Sequence, residues 1–138
     1  MNKTMDYKMN SYKEWSGEQR KASLRLTNKA KALGLLDAPK KCKFCGQEKG
    51  ILHTHNESYG ITLALVPKML NGTATEEEVQ KVKDVLWPIC WRCHMIWHSK
   101  KRAPRQVEQY FEEVRNGKQY PPVFVHDFNV LRRDHNIY

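Results

Sequence analysis

Four cysteines in two pairs constrain this chain more than any other feature. They stand as Cys42-Lys-Phe-Cys45 and Cys90-Trp-Arg-Cys93, and no other cysteine occurs. Two such pairs supply four thiolates, the number that a closed tetrahedral zinc site needs. The spacing predicts a knuckle that gives two sulfurs from one turn and a helix start that gives two more. Gly46, directly after the second cysteine, lets the backbone turn back. A site in which His53 or His94 replaces one cysteine is the alternative ligand set. In a domain this small, such a crosslink contributes directly to folding.

The surroundings of the pairs suit metal rather than disulfides. The start, Met1 to Asp6, has no apolar signal core. The longest apolar run, Ile61 to Val66, stops at Pro67 and falls far short of the roughly 18 residues of a membrane span. A cytosolic protein with reduced thiols is expected, with no membrane partner. In that compartment paired cysteines read as metal ligands. At 138 residues and 40% hydrophobic content, the chain is long enough for one domain with a modest core, spanning 1–138. A mean hydropathy of −0.77 marks a polar surface.

The formal net charge of +9 is unevenly placed. Residues 1–45 carry 11 basic and 4 acidic side chains, residues 46–98 carry 5 and 6, and residues 99–138 carry 8 and 5. A basic surplus therefore flanks a nearly neutral centre, and a polyanion is the natural partner. DNA or RNA fits that description. Lys21, Arg25 and Lys29 line one face of an expected helix, and Lys100, Lys101 and Arg102 form a second cluster.

Local signals place the elements. Residues 1–15 read as a basic leader. Ser16 with Gln19 makes a capping box for a helix over 17–33, with Ala22, Leu26, Ala30 and Leu33 at helical spacing and Gly34 as its stop. Gly50 to His55 reads as a short strand, so that Cys42–His55 forms a hairpin. Residues 60–74 read as a loop. Thr75 with Glu78 caps another helix bearing Val79, Val82, Val85 and Leu86, which Pro88 ends. Cys90 to about Arg102 is the second zinc arm continuing into a helix. Pro104 suits the first position of a last helix, with Val107, Tyr110, Phe111 and Val114 as its buried stripe and Asn116-Gly117 as its close. Residues 118–138 read as a C-terminal tail anchored by Val123, Val125, Phe128 and Leu131.

A second constellation holds His53, His55, Asn56, His94 and His98. His94 and His98 are four apart and share a helix face, whereas His53 and His55 are two apart and share a strand face. A strand and a helix held by one zinc could bring these faces together around a second divalent ion or a phosphate.

Taken together, Cys-x-x-Cys-Gly, a strand ending His-x-His-Asn-Glu-x-Tyr, and Cys-x-x-Cys-His-x-x-x-His resemble the HNH, or ββα-metal, endonuclease superfamily. The likeness is nearest to small zinc-containing HNH-like proteins of phages and bacteria. It covers Cys42–Tyr59 and Trp87–Arg102. It implies an α+β fold in which a zinc-stapled β-hairpin and helix are flanked by N- and C-terminal helices. It also implies Mg2+- or Mn2+-dependent hydrolysis of phosphodiester bonds, in the host cytoplasm if phage-encoded. In active members the strand ends in a metal ligand followed by a histidine base, and a histidine or asparagine on the helix completes the metal site. Aligned that way, His55 takes the ligand place and Asn56 the base place. Shifted by one, His55 becomes the base and Thr54 the ligand. An amide accepts no proton near neutral pH, whereas an imidazole does. His98, with His94 or Glu57, would complete the metal site.

Two other functions fit the same residues. One is a catalytically inactive zinc module that binds DNA, RNA or a protein partner, for instance a phage-encoded inhibitor of a host machine. The other is a plain zinc ribbon, which does not require the histidines to converge.

Overall fold

A computed structural model describes residues 15–138. The basic leader expected over 1–15 therefore lies, except for Trp15, outside the described residues. The fold is α+β, with six helices and one two-stranded sheet among the described residues. It divides into two compact units, residues 15–38 with 55–87 and residues 39–54 with 88–138. No helix is long and apolar enough to cross a membrane.

The first unit is helical. The helix α1 spans Gly17–Ala32 and opens on the expected capping box: Gln19 N donates to Ser16 Oγ (3.0 Å) and Ser16 N to Gln19 Oε1 (2.8 Å). Its buried face is Ser23, Thr27 and Ala30, one position round from the expected apolar stripe, and Leu33 is exposed. Small residues on that face permit close approach to a neighbour, and α1 packs on α2 (Tyr59–Leu70). Thr27 Oγ1 satisfies itself on Ser23 O at 2.8 Å.

The helix α2 replaces the loop expected over 60–74. Ser58 caps the helix by accepting from Ile61 N (3.2 Å), and Thr62, Val66 and Met69 bury one face. Pro67 forgoes one intrahelical bond, a cost that packing of this face offsets. The helix α3, Glu76–Val85, begins at the Thr75–Glu78 capping box and packs on α2. Ala30, Leu36, Val66, Met69 and Val82 form the core of this unit.

The strands β1 (Leu52–Asn56) and β2 (Leu86–Cys90) form the sheet. The unit boundary falls within both strands, at Thr54/His55 and Trp87/Pro88. Trp91 N donates to Ile51 O (3.1 Å) and Glu57 N to Val85 O (2.8 Å), which sets an antiparallel register with His55 opposite Trp87. The partner of β1 is thus β2 and not the knuckle, which corrects the hairpin expected over Cys42–His55. Pro88 does not end a helix. It sits in a strand of a two-stranded sheet, where a missing N–H is tolerated. Its carbonyl still accepts from Lys43 N at 2.7 Å.

The second unit is built on the four cysteines. Residues 42–46 form the knuckle, α4 spans Trp91–Trp97, α5 spans Pro104–Arg115 and α6 spans Asn129–His135. The core gathers Ile89, Trp91, Ile96, Val107, Tyr110, Val114, Leu131 and Ile137 around Cys42, Cys90 and Cys93. Gly50 is required by packing: with φ +79°, an added Cβ would lie 2.5 Å from Val123 O. The segment read as a tail contains α6, closed by Asn136 in the left-handed region. Leu131 is fully buried as expected, but Val125 and Phe128 are exposed rather than anchors.

Candidate metal centre

Each cysteine reaches the centre by a local device. Gly46, at φ +76°, turns the knuckle so that Gly46 N donates to Cys42 O (3.0 Å) and Cys42 N to Gln47 O (2.9 Å). Phe44, between the first two cysteines, stacks on Trp97 and meets Phe111, with ring centroids 5.6 and 4.9 Å away. Cys90 is the N-cap of α4, its Sγ accepting from Cys93 N at 3.4 Å. The strand end thus delivers Cys90, and the first turn of α4 delivers Cys93.

The four Sγ atoms lie within 4.8 Å of one another, and those of Cys45 and Cys90 are 3.7 Å apart. A tetrahedral ion with metal–sulfur bonds of about 2.3 Å spaces its sulfurs by about 3.8 Å. The cluster therefore fits a metal ion such as zinc, with four cysteines rather than three and a histidine. Among the thiols themselves, Cys42 is held well below the usual thiol range because Cys45, Cys90 and Cys93 donate to it. Hydrogen bonds to Cys42 and Cys45, and then burial, push Cys90 up, and the same influences raise Cys93. Cys45 is lowered as well, since Cys42 raises it but Cys90 and Cys93 together lower it more. The protons thus stay on Cys90 and Cys93, where a bound dication would take their place.

Two residues that support the centre are not evident from the spacing. Tyr110 Oη lies 3.0 Å from Cys93 Sγ, and burial, then the Cys93 charge, push the phenol pKa up. Arg92 sits between Trp91 and Cys93 and is buried. It donates to Asp134 Oδ2 (3.1 Å), His135 Nε2 (2.8 Å) and Pro121 O (3.1 Å), clamping α6 and the preceding loop to the start of α4. The sequence signal for Tyr110 was a hydroxyl in an apolar stripe, since a buried phenol needs a partner.

The same helix carries the histidines. His94 Nε2 and His98 Nε2 are 3.0 Å apart, and His94 Nδ1 and His53 Nδ1 are 2.9 Å apart. A neutral His94 has one donor and one acceptor nitrogen. It therefore accepts from one neighbour and donates to the other, so the three rings form a directional chain. Burial, then His126, lowers the His53 pKa and favours the neutral imidazole that metal ligation needs. His126, absent from the expected set, stands with its ring 5.8 Å from that of His53.

His55 and Asn56 belong to the first unit. His55 is buried beside Trp87, with Nε2 2.9 Å from Glu57 Oε1. The Asn56 amide is engaged in structure: Nδ2 donates to Ser23 Oγ (2.8 Å), while Oδ1 accepts from Ser58 N (3.0 Å) and Thr62 Oγ1 (3.2 Å). Asn56 thereby positions the entry to α2.

Of the expected phosphate contacts, Lys21, Arg25 and Lys29 are exposed on α1. Lys100, Lys101 and Arg102 are exposed after α4. Lys100 Nζ stands 3.9 Å over the Trp97 ring, and the Arg102 guanidinium 3.9 Å over the Tyr138 ring.

No protein-family model matches the chain, and neither curated proteins nor solved structures include a match to it.

Proposed function

We propose that this chain is a zinc-stabilised, HNH-like protein that binds nucleic acid and hydrolyses phosphodiester bonds with a second divalent cation, Mg2+ or Mn2+. The observation that carries the reading is the helix α4: its first turn belongs to the cysteine centre, and the same helix bears His94, with His98 at its end, their Nε2 atoms 3.0 Å apart. The ion at Cys42, Cys45, Cys90 and Cys93 is zinc, because four thiolates in a closed site suit it, and its role is to crosslink.

His94 and His98 would hold the catalytic cation, which when bound polarises a phosphodiester oxygen and offsets the charge that develops on it. His55 would be the base. Glu57 Oε1, 2.9 Å from the His55 Nε2, would orient that ring. Lys21, Arg25, Lys29, Lys100, Lys101 and Arg102 would neutralise backbone phosphates. The alternative, a catalytically silent module that binds nucleic acid or a protein, is favoured by Asn56, which occupies one of the two aligned base positions with its amide bound elsewhere.

Nicking of supercoiled plasmid by zinc-loaded protein with Mg2+ or Mn2+ separates the two. The hydrolytic reading expects nicking that His55→Ala abolishes while zinc content and melting temperature stay nearly intact. Plasmid binding without nicking, with either cation, would leave the silent module.

A further inference from the structure

A continuous file of rings runs through the second unit. Tyr138 meets Phe128 edge-on with centroids 5.3 Å apart, and Phe128 meets Trp91 at 5.3 Å. Trp91 stacks on His126 at 5.8 Å with planes 21° apart, and His126 meets His53 at 5.8 Å. His53 then joins His94 and His98 through ring nitrogens. Trp91 is the buried floor of this file, whereas Phe128 and Tyr138 are 44% and 48% exposed. In the same loop Phe124 and Val125 are 66% and 71% exposed. Such a concentration of exposed apolar side chains on one short segment marks an interaction surface.

The charges beside the file are mostly positive. The Arg102 guanidinium stands over the Tyr138 ring, and Arg132 and Arg133 are exposed on α6. Asp134 is already paired with Arg92 and Arg133, which leaves Asp127, bonded to Asn129 N, as the carboxylate of the loop. Rings interleaved with guanidinium groups suit a ligand with flat apolar faces and a charged backbone. Exposed bases stack on aromatic rings irrespective of sequence, whereas a duplex hides those faces.

We propose that the ring file from Tyr138 through Phe128, Trp91 and His126 to His53 is a seat for unpaired nucleotides, DNA or RNA, that leads a single strand to the imidazoles of His94 and His98. Bases rest on Phe128 and Tyr138, and Arg102, Arg132 and Arg133 contact phosphates. The inference rests on the reading of the chain as a nucleic-acid-binding protein and narrows its substrate to unpaired strands.

The test is fluorescence anisotropy with zinc-loaded full chain and no added Mg2+ or Mn2+, using labelled oligothymidylate, oligouridylate and a duplex at one salt concentration. Single strands should bind about ten-fold tighter than duplex, and Phe128→Leu with Tyr138→Leu should remove most of that advantage while leaving duplex binding unchanged. Leucine keeps the apolar volume and deletes the ring, and zinc content and melting temperature report that the fold survives. Arg102→Gln, a surface change, should also weaken single-strand binding. A preference between the two single strands would identify the natural source. Equal affinity for duplex and single strands, or loss of the Phe128 and Tyr138 rings weakening both alike or neither, would overturn the seat and leave nucleic-acid binding standing. Absence of binding to every probe would overturn the broader reading and this one with it.

Discussion

The hydroxyl of Tyr110 lies 3.0 Å from the Sγ of Cys93, and both side chains are buried. A residue from the middle of α5 thus meets a sulfur delivered by the first turn of α4, and donates to it once Cys93 is a metal-bound thiolate. Tyr110→Phe deletes that donor and leaves the packing. The substitution should cost about 1–3 kcal/mol of stability and weaken zinc retention about ten-fold. Competition with a chromogenic chelator measures the second effect, and unchanged retention would show that the contact does not tune the thiolate.

Removing the ion should act on one unit more than the other. Cys42, Cys90 and Cys93 are part of the second unit's core, while α1, α2 and α3 share a core without cysteine. Structural zinc contributes on the order of 10 kcal/mol to small domains of this kind. Hydrogen exchange after chelation should therefore show lost protection in β2, α4 and α5 and retained protection in α1 and α2.

The Arg92 clamp predicts a pH effect. Burial, followed by the Arg92 charge, lowers the His135 pKa to about 4. The unfolded chain binds that proton nearer the usual value of about 6.5, so the unfolded state takes it up first as pH falls. The contribution is full above pH 6.5 and is lost between about 6.5 and 4. After solvent screening, about 1–2 kcal/mol is at stake. Wild type should lose more stability than His135→Asn across that window, and parallel pH curves for the two would contradict the clamp.

Charge reversal on α1 tests the phosphate contacts. Lys21→Glu, Arg25→Glu and Lys29→Glu together should weaken binding to all nucleic acids and flatten the dependence of log affinity on log salt by about 2–3. A low-salt affinity equal to wild type would redirect that face to a protein partner.

Local chemistry was legible in the sequence, and pairing across distance was not. The caps at Ser16 and Thr75, and Pro104 at the start of α5, act within one turn and stand where the residues put them. The cysteine spacing likewise foretold the convergence of four sulfurs. The partner of β1 was missed because 29 residues separate Asn56 from Leu86 and Pro88 argued against a strand. The helix α2 was missed where Pro67 ends the apolar run, a local cost that burial of Thr62, Val66 and Met69 outweighs. The exposure of Val125 and Phe128 could not be read from hydrophobicity, since apolar character favours burial without distinguishing a core from an interaction surface.

Division of labour between thiolates and imidazoles is the point on which the proposed function turns, and titration of Mn2+ into zinc-loaded protein tests it most directly. Wild type should bind one Mn2+ beyond its zinc, and His94→Ala with His98→Ala should abolish that binding while the zinc content stays at one per chain. Failure of wild type to bind Mn2+, or binding that survives loss of both histidines, would contradict a catalytic cation on α4.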